Sequence, residues 1–91
     1  MITGNTLTAY KRRLLIHLDE RLGEEVRQSY LKADLELDFR QVVKLDDLTQ
    51  VLNGLKEDGF ATRRVTEFDG VKWRITAEGR AAVAKMEPED E

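Results

Sequence analysis

Leu52-Asn53-Gly54-Leu55-Lys56-Glu57-Asp58-Gly59-Phe60, followed by Asp69-Gly70-Val71-Lys72-Trp73-Arg74-Ile75-Thr76-Ala77-Glu78-Gly79-Arg80, decides the fold. The first run closes a helix. Leu45, Leu48, Val51, Leu52 and Leu55 recur at helical spacing, and Asp46 and Asp47 sit in the first turn, where carboxylates suit the positive end of the helix dipole. Asp58-Gly59 ends it, with Gly59 free to take a positive φ. Gly54 lies inside the helix at a cost of about 1 kcal/mol relative to alanine, which points to a close contact there.

The second run reads as half of a β-hairpin. Phe60 to Phe68 is rich in strand formers, and Asp69-Gly70 is a favoured two-residue type I′ turn. Pairing through that turn sets Phe68 opposite Val71, Glu67 opposite Lys72 and Thr66 opposite Trp73. Phe68, Val71, Trp73 and Ile75 then share the inward face, and Arg63, Lys72 and Arg74 the outward one. The same register turns Arg64 inward opposite Ile75, which a bulge near residues 62–64 would relieve. Thr76 caps a last helix from Ala77 to about Met86, whose alanines suit close packing.

Upstream, Asn5 or Thr6 can cap a first helix. Leu7, Tyr10, Leu14, Leu18 and Leu22 form its stripe and Gly23 its stop. His17 falls on the flank, a boundary position. A second helix can start at Glu24, with Val26, Tyr30, Ala33 and Leu37 as its apolar face. The period then changes, because Leu35, Leu37 and Phe39 alternate with Glu36 and Asp38 as a strand would. The residues between Leu37 and Leu45 read as an insertion, a longer second helix or an extra strand.

The order is three helices, a hairpin and a helix. Here the chain resembles the winged helix-turn-helix superfamily, most of all MarR-type and PadR-type bacterial regulators. Leu52 to Phe60 matches the Leu-x-x-Leu-x-x-x-Gly-apolar close of their recognition helix. Ile75-Thr76-Ala77-Glu78-Gly79-Arg80 matches the run that follows their second wing strand. The resemblance covers residues 44–86 well and 7–35 loosely. It implies a small α+β winged-helix domain over residues 1–86 in a bacterial or phage protein. Glu87-Pro88-Glu89-Asp90-Glu91 reads as a disordered acidic tail.

Composition narrows the function. The chain has 91 residues, 41% of them hydrophobic, enough for one modest core. It has no cysteine and one histidine, so thiol chemistry, zinc fingers and histidine-cluster metal sites are excluded. No apolar run is long enough to span a membrane, no secretory signal opens the chain, and a cytoplasmic protein is expected. Adjacent acids such as Asp46-Asp47 point about 100° apart on a helix and imply no cavity, so neither an enzyme nor a cofactor is expected.

The resemblance implies DNA binding and transcription regulation, with the third helix in the major groove and the wing on the backbone. Gln50 and Asn53 can pair bidentately with adenine, and Thr49 can reach bases or phosphate. Lys44, Arg63, Arg64, Lys72 and Arg74 can neutralise phosphates of double-stranded DNA. The charge argues both ways. The net charge is -3, and Asp46 and Asp47 would face phosphates unfavourably. An interaction module without DNA binding, taking a basic protein partner on that acidic helix, is the alternative. The family dimerises through extra terminal helices. This chain has one short C-terminal helix, so monomer and homodimer both stay open.

Overall fold

A computed structural model describes residues 3–86. The acidic tail, residues 87–91, lies outside the described residues. Helix α1 runs from Gly4 to Glu20. Its cap is Thr3, not Asn5 or Thr6: the Thr3 hydroxyl accepts from the Thr6 amide at 3.2 Å. The helix therefore begins sooner, and it also stops sooner. Leu22 and Gly23 both take positive φ, which throws Leu22 off the stripe and into solvent. Tyr10, Leu14, Leu15 and Leu18 form the buried face.

The second segment departs further. Val26–Arg27 is a short strand, β1, and helix α2 begins only at Gln28, ending at Phe39. Leu31 and Leu35 are buried and Phe39 is half-buried, a spacing of four. The expected stripe is one to two residues out of phase, so Tyr30 is 53% and Leu37 76% exposed. The apparent strand alternation at residues 35–39 is helical: Leu35 and Phe39 are i and i+4, and the Leu37 between them faces water.

Of the three readings of the link, the extra strand is wrong: α2 runs two residues past Leu37 to Phe39, and residues 40–44 form a non-helical connection. Arg40 ends α2 in the left-handed region at φ 52°. Glu36 then fastens the turn, accepting from the Val43 amide at 2.8 Å while Lys32 donates to it at 3.1 Å. Gln41 donates to the Tyr10 hydroxyl at 2.7 Å, and Val43 is buried. The connection is thereby tied to α2 and to α1 before α3 (Leu45–Glu57) begins.

Strands β2 (Ala61–Thr66) and β3 (Gly70–Ile75) form the wing, and the antiparallel sheet has the order β1-β3-β2. Its register is shifted by three from the expected one. Thr66 pairs with Gly70, Arg64 with Lys72, Arg63 with Trp73 and Ala61 with Ile75. The local Asp-Gly signal is overridden by Thr66, whose hydroxyl accepts from the Asp69 amide at 3.0 Å and donates to the Gly70 carbonyl at 2.7 Å. The loop is then Glu67–Asp69, and of Asp69-Gly70 only Gly70 takes a positive φ, 76°.

An odd shift exchanges the faces of one strand. Small Ala61, not Arg64, meets Ile75, so no bulge is needed at residues 62–64. Phe68, expected inside, is 91% exposed at the wing tip. Arg64 moves to the outer face, and Arg63 moves to the face that carries Trp73. Trp73 is inward as expected, 1% exposed, with its indole N–H donating to Gln28 Oε1 at 2.8 Å.

Helix α4 (Ala77–Ala84) is capped by Thr76, which accepts from the Gly79 amide at 3.0 Å. The core lies where α1, α2 and α3 meet β3, filled by leucines and Trp73.

Candidate nucleic-acid interface

Helix α3 buries Leu48, Val51, Leu52 and Leu55. Residues half a turn away must therefore face out, and Asp46, Gln50, Asn53 and Glu57 do so as one exposed line at spacings of 4, 3 and 4. Gln50 and Asn53 stand at its centre as donors and acceptors of the kind that read base edges. The acids close both ends. Thr49 flanks the line and is half-buried, and Lys44 is exposed at the N-cap position, its side chain making no capping bond.

The outer sheet face carries the wing's charge. Arg64, Lys72 and Arg74 share it, and Arg27 of β1 joins them opposite Lys72. Sequence reading missed Arg27, because a two-residue strand has no periodicity to detect. Its guanidinium also lies 5.7 Å from the Tyr30 ring centroid, within cation–π range.

These cations are engaged. Arg64 donates to both carboxylate oxygens of Glu25, each at 2.7 Å. Arg27 donates to Asp69 Oδ1 at 2.9 Å, and Lys72 stands 3.5 Å from Asp69 Oδ2. Arg74 donates to the Gly23 carbonyl at 2.6 Å. Arg63, on the opposite face, is exposed and has no ion pair among the described residues. The eight predicted residues thus fall into an α3 group, an outer-face group held in internal bonds, and Arg63 apart from both.

A second ionic cluster ties α1 to α2. His17 Nε2 lies 2.5 Å from Asp38 Oδ2, Arg13 donates to the same carboxylate, and Arg21 pairs with Asp34 at 3.5 Å. His17 is a half-buried boundary residue, as expected. Partial burial pushes the Asp38 carboxyl up, but hydrogen bonds from His17 and Arg13 outweigh it and hold the group below its ordinary value. The Val43 amide and Lys32 do the same for Glu36, and Arg64 for Glu25. Carboxyls with lowered folded pKa stabilise the protein above their unfolded pKa of about 4, and that contribution is lost as pH falls through the folded values. Melting temperature should therefore be level above about pH 5 and fall below about pH 4. Asp38→Asn should flatten that acid limb in thermal melts from pH 6 to pH 3. An unchanged limb would show that the α1–α2 cluster does not contribute.

Among the described residues no three His, Asp or Glu side chains gather to hold a metal, and no helix is long and apolar enough to cross a membrane. No protein-family model matches the chain, and no curated protein does. Solved structures do match. RosR of H. salinarum superposes with a TM-score of 0.75 at 24% identity over 84% of this chain and 66% of that one. A MarR-family transcriptional regulator from Silicibacter pomeroyi gives 0.70 at 23% identity, over 89% of this chain and 51% of that one. F93 from STIV, a winged-helix DNA-binding protein, gives 0.64 at 14% identity over 86% and 82%. The chain thus spans about two thirds of RosR and about half of the MarR-family chain. The class is settled by these likenesses together with the β1-β3-β2 sheet: the chain has the winged helix-turn-helix fold.

Proposed function

We propose that this chain is a cytoplasmic DNA-binding winged-helix module that acts as a transcriptional regulator. The domain is assigned to residues 1–86, and the acidic segment 87–91 follows it in the sequence. Double-stranded DNA is its partner, and the reading assigns it no catalytic role. The observation that carries this reading is the exposed Gln50–Asn53 pair at the centre of α3, on a helix that leads directly into a cation-bearing wing. The likeness to transcriptional regulators and to a winged-helix DNA-binding protein supports it and does not favour a protein-interaction module.

In this reading α3 enters the major groove. Gln50 and Asn53 contact base edges, Thr49 reaches bases or phosphate at the flank, and Lys44 meets phosphate at the start of the helix. Arg63, Arg64, Lys72 and Arg74 serve the backbone. Asp46 and Glu57 bracket the reading face and keep affinity modest.

Fluorescence-anisotropy titration of a labelled duplex at about 50 mM salt tests this, since non-specific complexes form at ~10⁻⁴–10⁻⁶ M. Arg63→Gln should weaken binding to all sequences alike and flatten the log–log salt slope by about 0.9, the value of one phosphate contact. Gln50→Ala or Asn53→Ala should instead relax preference at one or two base pairs, at ~1–3 kcal/mol each. No binding at concentrations well above that range would transfer the assignment to an interaction module.

A further inference from the structure

The outer sheet face shows more than a set of cations. Two carboxylates from outside the strands cover it. Glu25, in the loop before β1, reaches across the sheet to take both N–H groups of Arg64 at 2.7 Å. Asp69, in the wing loop, bridges Arg27 at 2.9 Å and Lys72 at 3.5 Å. Arg74 is occupied by the Gly23 carbonyl. Three of the four cations of that face therefore already have anionic acceptors of the kind a phosphate would offer, and the fourth, Arg74, is held by a neutral carbonyl.

We infer that Glu25 and Asp69 mask the wing: they occupy three of its four outer-face cations, Arg64, Arg27 and Lys72, as internal substitutes for phosphate, and nucleic acid engages these three only by displacing them. This rests on the DNA-binding reading above and adds to it a device that sets affinity. The Glu25 carboxyl is held below its ordinary value by the Arg64 hydrogen bond, with smaller help from the charges of Lys72 and Arg74. It therefore stays ionised, and stays a competitor, throughout the neutral range. Exposed pairs of this kind are weak, so the mask is displaceable.

The test is the same anisotropy titration, with Glu25→Gln, Asp69→Asn and the double variant beside the wild-type chain. Glu24→Gln is the control, since Glu24 is exposed and changes the net charge equally one residue away. Unmasking should tighten the double variant by about two- to fivefold at ~50 mM salt, the range expected for exposed ion pairs. It should steepen the log–log slope by about 0.9 for each phosphate newly engaged. Glu24→Gln should change both far less.

Asp69→Asn lies in an exposed turn and keeps the experiment decisive if Glu25→Gln disturbs β1. Unchanged or weaker binding by the variants, with the wild-type chain binding DNA, would overturn the mask and leave the DNA-binding reading standing. Equal tightening by Glu24→Gln would overturn it as well, because the effect would then be one of overall charge. Absence of binding by every form would overturn both. Binding by the double variant alone would support the mask strongly.

Discussion

Trp73→Ala should remove about 3–5 kcal/mol of unfolding free energy, the range for deleting a buried tryptophan. That is a large part of the ~5–15 kcal/mol that holds a typical domain. Trp73 sits in the central strand of the sheet, between Val26 of β1 and Arg63 of β2. It is 1% exposed and joins the core built by α1, α2 and α3. Alanine would leave a cavity where the helices meet the sheet, and rigid elements on several sides cannot all collapse into it. The indole N–H adds a directed bond to Gln28 at 2.8 Å, at the first residue of α2. Trp73→Phe keeps much of the volume and loses that bond, so it should cost about 1–2 kcal/mol. Urea unfolding followed by circular dichroism separates the two. A loss below about 1 kcal/mol for the alanine variant would place the indole at the surface, contrary to the packing described here.

Gly79→Ala should destabilise the protein by about 1–3 kcal/mol, although alanine is the better helix former by ~1 kcal/mol. A Cβ at position 79 would collide with the Phe60 carbonyl oxygen and stand 2.7 Å from Ile75 Cγ1. The carbonyl cannot turn aside freely, because it accepts from the Thr76 amide at 3.0 Å. Thr76 in turn caps α4 and donates its hydroxyl to the Gly59 carbonyl at 2.7 Å. The added methyl therefore pushes on the whole junction between α3, the wing and α4. Gly54→Ala is the internal comparison. There the obstacle is the end of the Lys11 side chain, at 2.6 Å, and a flexible lysine can move. Its cost is the exposed Lys11–Asp58 pair at 3.2 Å, worth at most ~1 kcal/mol. Gly54→Ala should therefore lie within about 1 kcal/mol of wild type. Equal losses at the two glycines would refute the contact argument.

This contrast explains why the run from Ile75 to Arg80 reads so plainly in the sequence. Thr76 and Gly79 are fixed by backbone contacts that allow few other residues, so their identities carry the geometry. Helix α3 is equally legible. Leu48, Val51, Leu52 and Leu55 face the core, its acids lie in the first turn, and Gly59 ends it at φ 81°; only Leu45, read into the same stripe, is left exposed at the helix start. The outward position of Gln50 and Asn53 follows from that stripe alone.

The sequence by itself therefore determined the order of the main elements, the winged-helix class, helix α3 with its exposed Gln50 and Asn53, and the inward place of Trp73. Each rests on interactions within one element or across one turn, which a local pattern records. Tertiary structure decided the rest. Strand β1 exists because Val26 and Arg27 find the open edge of β3; two residues have no period of their own. The phase of α2 depends on which of two leucine sets meets α1, and Leu31 and Leu35 win over Tyr30 and Leu37. The wing register depends on Thr66 closing the loop and on Ala61 fitting against Ile75. That register brings Arg64 to Glu25 and Asp69 to Arg27, residues 39 and 42 positions apart. Ion pairs at such separation leave no local trace, so only the folded chain could reveal that the wing's outer-face cations are already occupied.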